Sequence, residues 1–212
     1  MSLTNRDKEI IKDLNKFRVM DRDSIAALHF SKLKNPTLAA NNVLLRLLRE
    51  GHIQRSTAFV PYVYFGPDVQ MKKNSAKIGH FLAIVNVYKE LKILGQLESF
   101  LVEPKYGKKG EGAEPDVYCV FRKTQFFVEV QNSYFNEKQM EEKLDRYLDL
   151  YNSRTIQGPF PHVLILSDQR YGIGGGYPFK LFQAESFTQF IQSLQRETPV
   201  QAKDQKVKIK IG

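Results

Sequence analysis

Two acidic residues, Asp116 and Glu129, lie in a stretch of sequence whose residue types could bind a metal ion. Alternating apolar residues predict strands at 116–122 and 125–130, and the short gap between them predicts a hairpin. In such a hairpin Asp116 would lie opposite Gln131, with Glu129 diagonally across on the same face, about 5–8 Å away. Carboxylates converging at this distance suit a hard cation such as Mg²⁺ and leave positions open for water and phosphate.

The register of this hairpin decides whether the two carboxylates meet. We place Lys123 and Thr124 at the turn, so that Arg122 pairs with Gln125. A register shifted by one residue would turn the two acids to opposite faces of the sheet. The alternative interpretation is that both acids belong to a solvated strand surface, where Asp and Glu are usually found.

Apolar spacing predicts that the hairpin belongs to an α/β domain over residues 77–198. His80 and His162 are expected to pack or to form hydrogen bonds, because no second His or Cys stands at metal-ligand spacing. The other predicted elements of this domain are helices at 78–94, 137–151 and 186–194 and strands at 97–102 and 162–167.

The N-terminal part of the chain, residues 1–68, has the pattern of a winged helix-turn-helix domain. Three stretches have apolar residues at helical spacing, and two short strand-like runs follow on either side of a turn. Polar residues 69–76 would link this domain to the α/β domain. The predicted fold class is α/β, or α+β when both domains are counted. The predicted N-terminal elements are helices at 5–17, 24–30 and 37–50 and strands at 52–55 and 62–65.

In a helix-turn-helix pair the second helix enters the major groove of DNA and contacts the base edges. Here that helix would turn its leucines, from Leu38 onward, toward the core and present a polar face to the DNA. Asn side chains can pair with adenine edges, and Arg with guanine or phosphate. A winged helix that contacts another protein is the alternative interpretation. The predicted DNA-contacting residues are Thr37, Asn41, Asn42 and Arg46 on the helix and Arg55 in the wing.

The net charge of +9 is concentrated at the two ends of the chain. Residues 1–75 hold 13 Lys and Arg against 7 Asp and Glu, whereas residues 76–198 hold 15 of each. The tail at 199–212 holds 4 basic residues and 1 acid. This asymmetry predicts that the N-terminal domain binds a polyanion, with the tail as an added edge strand, a DNA-backbone arm or a disordered end.

Two further features bear on the class of protein. Cys119 is the only cysteine, which excludes an internal disulfide framework and a Cys-based zinc finger. No apolar run reaches the roughly 18–20 residues that a bilayer span needs, and residues 1–7 lack the apolar stretch of a signal peptide. We therefore expect a cytoplasmic protein with no membrane partner.

The pattern Pro115-Asp116, then a strand, then Glu129-x-Gln131 resembles the PD-(D/E)xK nuclease superfamily, and so does the order of elements from Ile78 to Ser167. A wider resemblance rests on the order of four short motifs, His80–Asn86, Glu114–Asp116, Phe127–Val130 and Lys143–Tyr147. With the N-terminal domain included, residues 5–170 resemble the replication-relaxation family of plasmids and mobile elements. Members of that family join a winged helix to a nuclease-like domain, which implies a restriction-endonuclease-like fold for the second half of this chain.

The resemblance implies a role for the charged residues of these motifs. Asp116 and Glu129 would be metal ligands, with Glu90 as a third carboxylate, and metal-activated water would attack a DNA phosphodiester. The superfamily usually has Lys where this chain has Gln131, and Lys143 on the following helix would replace that Lys. The implied catalytic set is Asp116, Glu129, Gln131 and Lys143, with Mg²⁺ as cofactor if the site is active and no cofactor otherwise.

The sequence leaves three functions open. The first is a DNA-binding accessory protein of plasmid or mobile-element replication or relaxation, with a nuclease-like domain that has lost catalysis. The second is an active Mg²⁺-dependent endonuclease that nicks DNA, and the third is a winged-helix transcriptional regulator whose α/β domain dimerises or senses a ligand. The expected partners are double-stranded DNA, plasmid replication or relaxation proteins and, in a dimer, a second copy of the chain.

Overall fold

The computed structural model describes residues 2–107, 112–133 and 135–196 of the chain. Within these residues helices alternate with strands, and the strands form two sheets, one in each half of the chain. This arrangement confirms the mixed α/β class predicted from the sequence. The basic tail predicted at 199–212 lies outside the described residues.

Polar side chains fix where the N-terminal helices begin. Thr4 and Asp7 form a capping box at the first helix. Asp21 and Asn35 each accept a hydrogen bond from a backbone N–H of the second and third helices. Such caps satisfy N–H groups that a helix leaves unpaired in its first turn. The elements of this half are α1 (Asn5–Phe17), β1 (Val19–Asp21), α2 (Arg22–His29), α3 (Pro36–Arg49), β2 (Gln54–Ser56) and β3 (Val63–Phe65).

The three strands of this half form a small antiparallel sheet with β3 in the centre. Phe65 pairs with Val19 of β1 on one side and with Gln54 of β2 on the other. The sequence does not predict β1, because three residues directly after a helix are too few to show an alternating pattern. Through β1 the end of α1 is held against the two strands that follow α3.

The second half of the chain forms a five-stranded sheet in the order β4-β5-β6-β7-β8. The first three strands are antiparallel neighbours, and β6, β7 and β8 are parallel neighbours. The helix α5 makes the crossover between β6 and β7, as a parallel connection requires. The elements are α4 (Ile78–Leu94), β4 (Leu97–Val102), β5 (Val117–Phe121), β6 (Thr124–Val130), α5 (Glu137–Asn152), β7 (His162–Leu166), β8 (Leu181–Ala184) and α6 (Phe187–Arg196).

The turn between β5 and β6 differs from the predicted one. Arg122 and Lys123 form the two-residue loop, and Phe121 pairs with Thr124 across it. The φ angles of the two loop residues are 48° and 64°. Positive φ at both positions matches the twist of the flanking strands in a tight hairpin. The predicted turn at 123–124 is therefore wrong, because it starts one residue too late.

The corrected register changes which residues face each other. Val117 pairs with Val128, so the next position outward places Asp116 opposite Glu129. The predicted pairing of Asp116 with Gln131 is wrong by two positions. Because side chains alternate along a strand, a shift of two keeps every residue on its predicted face. The two acids thus share a face, as expected, and lie directly across from each other.

Helices cover both faces of the five-stranded sheet. On one face, Leu144 of α5 packs in a buried cluster with Phe127. On the other face, α4 and α6 enclose a cluster that includes Val128 and Phe187. Cys119 belongs to this second cluster and is fully buried, and burial raises the pKa of its thiol to about 12.

One hydrophobic core runs from the N-terminal helices through α4 into the sheet. At the junction, the rings of Phe17, Tyr88 and Phe100 contact one another with centroids 5.0–5.9 Å apart. The Lys16 ammonium lies over these rings, 4.5 Å from the centroid of Tyr88. The predicted linker contributes to this core, since its apolar residues pack against it. The two halves are therefore packed together as well as joined by the chain.

The shared core predicts that the two halves unfold together. Replacing Phe100, which is 6% exposed, by Ala should lower the free energy of unfolding by about 3–5 kcal/mol, because it removes a buried aromatic ring. Urea denaturation followed by far-ultraviolet circular dichroism should show one transition, shifted to lower urea. Leu101→Ala on the same strand is the control, since Leu101 is 50% exposed and should change little. Two separate transitions would contradict the shared core.

Candidate functional site

The helix α5 brings two polar side chains onto the buried carboxylate of Glu129. Lys143 and Tyr147 are four residues apart, so they lie on the same face of the helix. The Lys143 ammonium forms an ion pair with one oxygen of Glu129, and the Tyr147 hydroxyl donates a hydrogen bond to the other. The side chain of Glu129 is 1% exposed and that of Lys143 is 15% exposed. The predicted Glu129 and Lys143 are thus in direct contact.

Asp116 lies at the entrance to β5 and joins this cluster from the opposite strand. Its Oδ2 accepts a hydrogen bond from the backbone N–H of Val130 at 2.7 Å. Its Oδ1 lies 3.2 Å from Nε2 of His80, in the first turn of α4. His80 therefore forms a hydrogen bond, which is one of the two roles expected for it. We call the group Asp116, Glu129, Lys143 and His80 the acidic-lysine site.

Burial and mutual charge set the protonation of this site. Burial raises the pKa of Glu129 to about 8, although the Lys143 ammonium opposes the rise. Burial also acts to raise the pKa of Asp116, but the hydrogen bond from His80 and the charge of Lys143 outweigh it and leave this pKa below its usual value. The same hydrogen bond raises the pKa of His80. The two carboxyl groups are therefore shifted in opposite directions, with Asp116 losing its proton at lower pH than Glu129.

Lys143 remains a cation in this environment. Burial acts to lower the pKa of its ammonium, but the charges of Glu129 and Asp116 outweigh burial and raise it. An ammonium group held between two carboxyl groups offsets the repulsion between them.

The two carboxylates are the groups in this site that could hold a metal ion. Each of their four oxygens already has a partner in the structure: Lys143, Tyr147, His80 and the Val130 N–H. Two carboxylates on facing strands suit the oxygen preference of Mg²⁺. A bound cation would have to take the place that the Lys143 ammonium now occupies beside Glu129.

The structure places Glu90, the predicted third carboxylate, elsewhere. Its Oε2 accepts hydrogen bonds from the backbone N–H of Thr188 at 2.9 Å and from the Thr188 hydroxyl at 3.0 Å. Glu90 therefore belongs to the face of the sheet that α4 and α6 cover, whereas Glu129 faces α5. Among the described residues, no group of three or more Asp, Glu, His and Cys side chains is arranged to hold a metal ion.

Gln131 lies just beyond β6 and is 9% exposed. Its Nε2 donates to the carbonyl oxygen of Ser133 at 2.8 Å and to the Ser133 hydroxyl at 3.2 Å. It also lines an open cleft of about 570 Å³ at the ends of β6 and β7, together with Glu90 and Asp168. Gln131 therefore shapes the rim of the sheet next to the acidic-lysine site, and its amide is held by the loop that follows the strand.

The predicted DNA-contacting residues on α3 divide into two groups. Thr37 and Asn42 are exposed and Asn41 is half-buried, as a contacting face requires. Arg46 instead pairs with the buried carboxylate of Asp7, at 2.6 Å between Nη2 and Oδ1. Because Asp7 is 1% exposed, Arg46 serves as its counter-charge, and the structure does not leave it free to reach DNA.

One other prediction about α3 is wrong. Leu38 is 54% exposed and does not face the core, because the buried stripe of the helix runs through Ala40, Leu44 and Leu47. Arg55 stacks its guanidinium over the ring of Tyr62, 4.8 Å from the centroid. Arg49 is exposed about two turns beyond Asn42 on α3, and it adds a basic side chain that the predicted set does not include.

No protein-family model matches this sequence, and no curated protein matches it either. Of the helices in the described part of the chain, none combines the length and apolar character needed to cross a membrane.

The buried carboxyl of Glu129 predicts a dependence of stability on pH. Its pKa is about 8 in the folded protein against 4.5 for an exposed Glu, so the folded state holds the proton more tightly. The stabilisation from this proton is fully present below pH about 4.5 and is lost as the pH rises through about 8. In metal-free buffer, wild type should therefore lose stability over this window relative to Glu129→Gln, as measured by urea denaturation.

Glu142→Gln is the matched control, since Glu142 lies on the exposed face of α5. Its stability should follow that of wild type across the whole pH range. Parallel pH profiles for wild type and Glu129→Gln would show that Glu129 does not titrate in this window.

Proposed function

We propose that this protein is a DNA-binding accessory protein of plasmid or mobile-element replication, similar to the replication-relaxation family. In this proposal the N-terminal half is a winged helix that holds duplex DNA, and the second half is a nuclease-like α/β domain. The order of α1, β1, α2, α3, β2 and β3 supports the first assignment, since two consecutive helices followed by two antiparallel strands is the order of a helix-turn-helix with a wing. The excess of basic residues in residues 1–75 supports a polyanionic partner.

The acidic-lysine site is the observation that carries the assignment of the second half. Asp116 and Glu129 come from two neighbouring strands, and Lys143 of the crossover helix forms an ion pair with Glu129. The element order from α4 through three antiparallel strands and α5 to a parallel strand supports a restriction-endonuclease-like fold. Lys143 supplies from the helix the charge that Gln131 cannot supply from the strand.

The proposal predicts that α3 reads base edges. Wild type is first used to select its preferred sequences from a random pool of duplexes. The Asn42→Ala variant should bind these selected duplexes about tenfold more weakly than wild type does, because a side-chain pair to a base contributes about 1–3 kcal/mol. Affinity for unselected DNA should change little. Fluorescence anisotropy with labelled duplexes measures both.

Asn152→Ala is the control for this test, because Asn152 is exposed on α5, away from the N-terminal half. It should bind selected and unselected duplexes as wild type does. If the wild-type protein enriches no sequence and binds no duplex, the DNA-binding proposal fails.

The contact between Lys143 and Glu129, with the charge of Asp116 nearby, also favours a second candidate, an active Mg²⁺-dependent endonuclease. Asp116 and Glu129 are the residues that would hold Mg²⁺, which would polarise the phosphodiester and activate water. The Lys143 ammonium would offset the negative charge of the phosphate, and His80 would orient the carboxylate of Asp116. Retained cleavage is what separates this candidate from the accessory protein.

Incubation of supercoiled plasmid with Mg²⁺ or Mn²⁺ tests this candidate. An active enzyme should convert the plasmid to the nicked form, and Asp116→Asn and Lys143→Gln should each reduce the rate by about 100-fold or more, because both groups act on the developing charge. Glu142→Gln should nick as wild type does. Plasmid binding without nicking at any metal concentration would leave a nuclease-like scaffold that has lost catalysis.

A further inference from the structure

Three exposed lysines lie between the two halves of the molecule. We call Lys72, Lys73 and Lys77 the basic junction; all three side chains are exposed. The sequence contains no acidic residue between Asp68 and Glu90, so no neighbour in the chain neutralises them. Among the described residues none of the three takes part in an ion pair. Their charge therefore faces solvent.

The basic junction borders a concave surface. Lys72 and Lys77 line a cleft of about 480 Å³ together with Arg18 and Asp68. The carboxylate of Asp68 already accepts a hydrogen bond from Asn15 at 2.6 Å. The other side of the cleft comes from α1 and the first turn of α4, so the cleft lies where the N-terminal half meets the α/β half.

Lys77 is the member of the basic junction that lies nearest in the chain to the acidic-lysine site. Lys77 directly precedes α4, and three residues later His80 contacts Asp116 at 3.2 Å. Asn132, just beyond β6, donates a hydrogen bond to the carbonyl oxygen of Gly79 at 3.3 Å. The first turn of α4 therefore joins the basic junction to the end of the strands that carry the two acids.

An acidic site needs a neighbouring positive surface if it is to meet DNA. The ionised carboxylate of Asp116 repels a phosphate group, and this repulsion is strongest in a partly buried site where water screens charge poorly. Lys77, three residues before the His80 that contacts this carboxylate, supplies an opposing attraction. The N-terminus of α4 carries no side-chain cap, so its backbone dipole adds to the positive potential there.

We propose that the basic junction binds the phosphate backbone of duplex DNA and carries it from α3 toward the acidic-lysine site. This inference rests on the proposed DNA-binding function and adds a second contact surface to it. The duplex then spans both halves of the molecule, with base contacts at α3 and backbone contacts at Lys72, Lys73 and Lys77. Backbone contacts carry no sequence information, so they strengthen binding to all duplexes alike.

The salt dependence of binding tests the basic junction directly. The triple variant Lys72→Gln, Lys73→Gln and Lys77→Gln should bind a labelled duplex more weakly than wild type in fluorescence anisotropy. The slope of log affinity against log KCl should become shallower by roughly 0.9 for each phosphate that the variant no longer neutralises. Selected and unselected duplexes should be affected equally, in contrast to Asn42→Ala.

A matched variant controls for the change in net charge. Lys92, Lys123 and Lys180 are exposed lysines of the α/β half outside the junction, and their replacement by Gln should leave the slope as in wild type. An unchanged slope in the junction variant, or an equal change in both variants, would overturn the inference while leaving the proposed function intact. No binding by wild type would overturn the proposed function itself.

Discussion

The rest of the structure depends on the burial of α4. This helix packs against α1, α2 and β1 on one side and against β4, β6 and α6 on the other, so it is apolar around most of its circumference. Its polar residues are exceptions that each hold a different part of the molecule. His80 contacts Asp116, Lys89 donates to the Ser24 hydroxyl at 3.1 Å, and Glu90 accepts from Thr188. A helix with these ties fixes the N-terminal half relative to the sheet.

The buried carboxylate of Glu129 is harder to explain by stability alone. Burying a charge costs free energy, and a hydrogen-bonded partner such as Lys143 offsets that cost only in part. Apolar residues of similar size would fill the space between β6 and α5 with less penalty. Titratable groups whose pKa values are shifted by burial and by a charged partner are concentrated at functional sites. The cost of placing Glu129, Lys143 and Tyr147 there is therefore an argument for a function of the site.

Local patterns in the sequence predict most of the helices and strands, because apolar periodicity needs only neighbouring residues. They do not predict β1 or β8, which are too short to show a period. The hairpin register fails for a related reason, since Arg122 and Lys123 are not a typical pair for a turn that needs positive φ. Contacts between distant residues are beyond such patterns. Asp7 and Arg46 are 39 positions apart, so nothing local marks Arg46 as a counter-charge. Lys143 is predicted as a site residue from the resemblance, which compares motifs far apart in the chain, and not from local periodicity.

The position of Cys119 gives the protein an internal reporter. It is the only cysteine in the chain, it has no exposed surface, and its raised pKa keeps the thiol protonated. The thiolate is the form that attacks an alkylating reagent, so in the folded protein the sulfur is both inaccessible and unreactive. Labelling of this one atom can proceed only when β5 separates from its neighbours. The rate at which Cys119 is labelled therefore reports how often the central sheet opens, and no engineered probe is needed to measure it.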